Sequence, residues 1–156
     1  MFLLLLILVC FSAVQGENRG TYFVKPNSPS ATCQSQPCYS LEYYLQNELK
    51  LFTQSNVTLK FLPGIHLLVF EQPVQIKDVQ NFAMIGGNWN GNWKKSAQTS
   101  EVRCKGSVGF KITFSHNVTI EDLTFTNCGM VIAYKGEWLY KAALLIENVT
   151  DLFIQE

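Results

Sequence analysis

Histidine is almost missing from this chain: His66 and His116 are the only two among 156 residues. Neither lies at ligand spacing from the other or from the cysteines, so a Cys/His metal site has no ligand set, and no cofactor is implied. Both read as isolated surface or turn residues. Charge of one sign is missing too, since 12 Lys and Arg balance 12 Asp and Glu. A neutral chain has no bulk field with which to hold nucleic acid or an anionic membrane. Neutral sugars escape that exclusion. Long apolar runs are also scarce. The run Phe2–Phe11 has ten residues, against roughly 20 for a helix that crosses a bilayer core. No later stretch is long or apolar enough to span.

The short run is followed by Ser12-Ala13-Val14-Gln15-Gly16. A brief apolar core and then small residues read as a secretory signal peptide, with Val14 and Gly16 at the cleavage positions. Residues 1–16 are therefore expected to be removed, although no Lys or Arg precedes the run. A membrane anchor is the alternative, and ten residues are too few for it. Cys10 leaves with the signal, and four of the five cysteines remain. In a secreted chain these imply two disulfides. Cys33 and Cys38 lie close enough to close a small loop in an extended segment, residues 17–38, which leaves Cys104 with Cys128. Three sequons begin at Asn56, Asn117 and Asn148. Each accepts a glycan if exposed in the secretory pathway, so the expected address is extracellular.

An internal repeat carries the fold. The pattern Asn or Asp, apolar, any, apolar begins at Asn56, Asn81, Asn117 and Asp151, in steps of 25, 36 and 34 residues. Seven and five residues before the last three copies stand Val74 and Ile76, Phe110 and Ile112, and Leu144 and Ile146. Each copy thus has two short strands of period two, with one face in and one face out. Strands this short bury a core only by stacking copy on copy. That is a parallel β-helix, residues 53–156, in an all-β fold. Val57, Phe82, Val118 and Leu152 form one inward stack, and Leu59, Met84, Ile120 and Ile154 form the next. The first step fits one turn of the coil. The extra residues of the later steps are loops, placed at Asn88–Ser100 and Gly129–Lys141. With the first loop before Cys104, Cys104 and Cys128 fall within one position of each other on neighbouring turns. Stacked strands about 4.8 Å apart suit a disulfide.

Upstream, Ser40 is placed to cap a helix that runs to about Phe52 within residues 39–52. Leu41, Tyr44, Leu45 and Leu49 share one face at helical spacing. Such a helix suits the open end of a β-helix as a cap.

The succession Tyr22-Phe23-Val24, Cys38-Tyr39-Ser40-Leu41, Leu62-Pro63-Gly64-Ile65-His66 and Asn117 through Gly129 resembles the secreted right-handed β-helix proteins of invertebrate animals, which are pectin-lyase-like. The resemblance covers about residues 21 to 156. It implies a right-handed parallel β-helix and leaves the function open.

Enzymes of that superfold cleave acidic polysaccharides. They need converging carboxylates, or a base with clustered acids holding Ca²⁺. On stacked strands such residues share outward columns. These read Thr58, Ala83, Thr119, Phe153; Lys60, Ile85, Glu121, Gln155; Gln75, Lys111, Leu145; and Lys77, Thr113, Glu147. None holds two acids, so no catalytic residue is assigned. Glu121-Asp122, the adjacent acidic pair, suits a solvated bend, and Lys77, Lys111 and Glu147 suit a surface ion pair. The repeated Asn or Asp suits left-handed turns and a ladder of side chains facing inward. That ladder role weakens Asn117 as a glycan site and favours Asn148, which stands outside the register; Asn56 stays open. Exposed aromatic rings offer flat faces for sugars. The binding candidates are thus Trp89 and Trp93 in the first loop, and Tyr134, Trp138 and Tyr140 in the second. The competing reading folds those aromatics back over the coil.

Three functions follow: a non-catalytic secreted β-helix that binds glycan or matrix; the N-terminal part of a polysaccharide lyase or glycosidase; or a purely structural ectodomain. The chain stops at Glu156, just past Ile154 and before any C-terminal cap. The expectation is a fragment whose uncapped end promotes self-association.

Overall fold

The computed structural model describes residues 20–28, 31–33, 37–69, 72–87, 100–105, 109–128, 131–134, 137–140 and 143–155. The expected signal peptide lies outside them, as do residues 88–99 of the first expected loop. The chain is mostly strand. Its elements begin with β1 (Gly20–Lys25), β2 (Cys38–Ser40), α1 (Leu41–Asn47) and a 3₁₀ turn (Leu49–Thr53). β3 (Val57–Phe61), β4 (Gly64–Leu68), β5 (Val74–Lys77) and β6 (Gln80–Ile85) follow. Then come β7 (Ser100–Cys104), β8 (Phe110–Thr113), β9 (His116–Glu121) and β10 (Leu123–Thr126). The last four are β11 (Val131–Tyr134), β12 (Glu137–Tyr140), β13 (Leu144–Glu147) and β14 (Thr150–Gln155).

Three parallel sheets hold most of these strands, in the orders β2-β1-β3-β6-β9-β14, β4-β7-β10 and β5-β8-β13. From β3 onward the chain visits the three sheets in fixed rotation. Each strand therefore pairs with its counterpart one repeat away. Thr58 pairs with Ala83, Phe82 with Val118 and Leu152 with Val118 from the other side. Val74 and Leu144 both pair with Phe110. The period-two alternation explains the arrangement: in β3, Val57, Leu59 and Phe61 are buried while Thr58 and Lys60 are half-buried. The stacks form as the repeat predicts over the first three copies, whereas in β14 Leu152 is half-buried and Ile154, expected inward, is 49% exposed. Val57, Phe82 and Val118 are fully enclosed, as are Leu59 and Met84. Each enclosed side chain of this size contributes roughly 2 kcal/mol of transfer free energy.

Cys104 and Cys128 are joined, with Cα atoms 4.9 Å apart. Cys33 and Cys38 are joined at a Cα separation of 6.2 Å.

Several expectations are corrected. The α-helix ends at Asn47, because Glu48 leaves helical geometry at φ −134°. Leu49 then no longer follows Leu45 on the packed face and lies 49% exposed, while the 3₁₀ turn brings Leu51 and Phe52 inward. Ser40 caps the helix, its Oγ accepting from the Tyr43 amide at 3.2 Å. The N-terminal segment is not merely extended: β1 enters the first sheet against β3, with Tyr22 opposite Leu59 and Val24 opposite Phe61. Ser100 is no loop residue. It opens β7, is fully buried, and its Oγ donates toward the carbonyls of Phe61 at 2.9 Å and Leu62 at 3.1 Å. The second expected loop contains an antiparallel hairpin of β11 and β12, Val131 opposite Tyr140. His66 is neither surface nor turn. It sits on β4, fully enclosed.

Candidate functional site

The outward columns pair as the repeat requires, with Lys60 opposite Ile85, Ile85 opposite Glu121 and Glu121 opposite Gln155. Thr113 departs from its column, being only 4% exposed. Lys111 Nζ meets Glu147 Oε2 at 3.1 Å, and Lys77 Nζ meets Asp78 Oδ2 at 3.6 Å. Asp122 is exposed, at φ 52°, in the bend between β9 and β10.

The third sheet, β4-β7-β10, adds two columns that the repeat pattern did not reveal: Ile65, Glu101, Thr124 and Leu67, Arg103, Thr126. Arg103 holds Glu101 by two hydrogen bonds, 2.8 Å from Nε and 3.2 Å from an Nη. Thr126 Oγ1 donates to the same carboxylate. The arginine bonds, and then the threonine, hold the Glu101 carboxyl below its ordinary range. A carboxylate so engaged is an anchored anion, unsuited to act as a general acid at neutral pH.

His116 heads β9. Its Nδ1 lies 2.7 Å from Thr150 Oγ1 and 3.2 Å from Asp151 Oδ2. A nucleophile–base–orienter relay uses both ring nitrogens, one for each partner. Here both partners meet one nitrogen, so the cluster is no relay. Among the described residues, no three His, Cys, Asp or Glu side chains gather as for a metal ion.

The Asn ladder exists, but on the outside. Asn81 Nδ2 donates to Asn56 Oδ1 at 2.9 Å, and Asn117 Nδ2 donates to Asn81 Oδ1 at 2.7 Å. Asn81 and Asn117 are exposed. The inward placement fails because all three residues sit at positive φ, between 52° and 60°, just before the strand alternation begins. Asp151 adds no amide rung and turns to His116 instead. Asn148 is exposed at φ 53°, apart from the ladder.

Trp89 and Trp93 lie outside the described residues. The backbones of Tyr134, Trp138 and Tyr140 belong to the β11–β12 hairpin, and their side chains lie outside the description.

A different aromatic cluster is assembled at the helical end. β1 supplies Tyr22, β2 supplies Tyr39, and α1 supplies Tyr43 and Tyr44. Tyr39 and Tyr43 stack at 4.2 Å between ring centres with 22° between planes. Tyr22 and Tyr39 each stand nearly perpendicular to Tyr44, at 86° and 81°. Tyr44 Oη donates to the Phe23 carbonyl at 3.0 Å. Burial raises the Tyr44 phenol well above its usual range, so it remains a neutral donor. Tyr22, Tyr39 and Tyr44 border a hollow of about 230 Å³ whose polar lining includes Glu48, Lys50 and Gln54. Lys50 Nζ and Glu48 Oε2 are 3.8 Å apart. The site precedes the first copy of the repeat, so the repeat pattern carries no sign of it. The available signal was compositional: four of the six tyrosines fall between positions 22 and 44. No protein-family model, curated protein or solved structure matches the chain.

Proposed function

We propose that this chain is a secreted right-handed parallel β-helix protein of the pectin-lyase-like kind, which binds extracellular glycan or matrix without cleaving it. The fixed rotation through three parallel sheets supports the β-helix, each sheet forming one wall. The right hand follows from the strong preference of parallel crossovers for that hand. Two cysteine pairs support an oxidising compartment, as does the apolar N-terminal run. The tyrosine-lined hollow carries the binding reading, since aromatic faces beside polar side chains suit a sugar ring.

The test is to express the full chain in animal secretory cells. Expected are release into the medium, a new N-terminus at Glu17, and a glycosidase-sensitive glycan at Asn148. The secreted protein should bind members of a glycan array and release no new reducing ends from them. Retention in the cell overturns secretion, and depolymerisation overturns the non-catalytic reading.

A further inference from the structure

We infer that the hollow between β1, β2, α1 and the 3₁₀ turn is the binding site, and that it takes one uncharged pyranose unit of a glycan. This inference rests on the glycan-binding reading above.

Size sets the first limit. At about 230 Å³ the hollow is smaller than the roughly 300 Å³ at which drug-sized pockets begin. It accommodates a single ring rather than a run of several sugars.

The walls set the second. Tyr39 is 40% exposed, and Tyr43 stacked on one of its faces fixes the ring. Tyr44 is anchored by its bond to Phe23 and stands perpendicular to both Tyr39 and Tyr22. Tyr44 is itself 1% exposed and serves as the fixed support; Tyr39 and half-buried Tyr22, held against it, lose little conformational freedom on binding, and their faces match the C–H face of a pyranose.

The polar lining sets the third. Glu48 accepts, Lys50 donates, and the Gln54 amide does both. Vicinal hydroxyls likewise donate and accept, so they satisfy such a set. A purely apolar ligand would desolvate it without replacement bonds, which is unfavourable. Charge sets the last. The lining carries one cation and one anion, 3.8 Å apart. Their formal charges cancel, so neither a uronate nor a quaternary ammonium finds an excess of opposite charge.

The experiment uses the full secreted chain, titrated with methyl β-galactopyranoside, methyl β-glucopyranoside, methyl α-mannopyranoside, galacturonate and tetramethylammonium. Binding is followed by saturation-transfer NMR and tyrosine fluorescence. At least one neutral glycoside should bind saturably, and galacturonate and tetramethylammonium should not. Tyr39→Ala and Gln54→Ala, each checked for native circular dichroism, should weaken that binding about tenfold, a loss of roughly 1.4 kcal/mol. Unchanged binding by both variants overturns the site. If Trp89→Ala or Trp93→Ala alone abolishes binding, glycan recognition survives and this location falls. No binding of any glycan by the parent overturns both. Preference for galacturonate or tetramethylammonium overturns the neutral ligand class.

Discussion

His66 has one satisfied ring nitrogen. Nε2 donates to the Leu62 carbonyl at 2.7 Å, the ring meets Phe61 edge-on at 5.1 Å, and Nδ1 has no hydrogen-bond partner. Protonation at Nδ1 would bury a charge. Burial accordingly lowers the folded-state pKa below that of the unfolded chain. The unfolded chain takes up the proton first as pH falls. The His66 contribution to stability is therefore constant above about pH 6.5 and declines below it, by up to about 1.4 kcal/mol per pH unit, until folded His66 itself protonates. Denaturant titrations between pH 8 and pH 5 should show that slope, and His66→Gln should flatten it. Phe114 poses a different residue-scale problem. It stands at φ 49° in a column otherwise filled by Asp78 and Asn148, and it is 58% exposed. Left-handed geometry costs a bulky residue about 1 kcal/mol that Asn largely avoids. Phe114→Asn should therefore raise the unfolding free energy by about that amount. A lower melting temperature would show that Phe114 makes a contact worth more than its strain.

Strands pack so closely that one methyl group matters. A Cβ on Gly86 would lie 2.0 Å from the Asp122 carbonyl oxygen, and one on Gly109 would lie 1.9 Å from that of Ala143. In both cases the obstacle is backbone, which has no flexible end to swing aside. Gly86→Ala should destabilise the chain by about 3 kcal/mol, read as a lower denaturant midpoint; a neutral effect would mean that the strands slide. Two of the three parallel sheets were legible in the sequence, because their inner positions repeat as Val57, Phe82, Val118 and as Val74, Phe110, Leu144. The third was hidden. Its inner rows run Gly64, Ser100, Leu123 and His66, Val102, Phe125, and Gly, Ser and His mask the alternation. The length of α1 was overread because Leu49 continues the apolar spacing, although the backbone has already turned at Glu48. The tyrosine hollow left only a compositional trace in the sequence, for a topological reason: β1 pairs with β2 on one side and β3 on the other, a juxtaposition that no local pattern announces.

Across the whole molecule, burial is graded along the stack. Val118 is fully buried and Ile120 is 2% exposed, whereas Ile154, opposite Ile120, is 49% exposed. Phe153 and Leu145 are also open, at 50% and 43%. Among the described residues β14 has a partner on one edge alone. Apolar rows beside free strand edges invite pairing with another chain. The 17–156 chain should therefore self-associate with rising concentration in sedimentation velocity, and Ile154→Lys should reduce it. A parent that stays monomeric at all concentrations would refute this. The same grading gives the fold a direction of failure. Amide hydrogens of β13 and β14 should exchange with solvent first and those of β3 and β6 last, because opening spreads from the least-packed copy inward. The covalent link from Cys104 to Cys128 ties β7 to the residues just after β10. Unravelling that begins at β14 meets that bond as a stop, so reduction should deepen the zone of fast exchange by one further copy. The disulfide then serves less as a general staple than as a ratchet tooth, setting how far the structure peels before it re-forms.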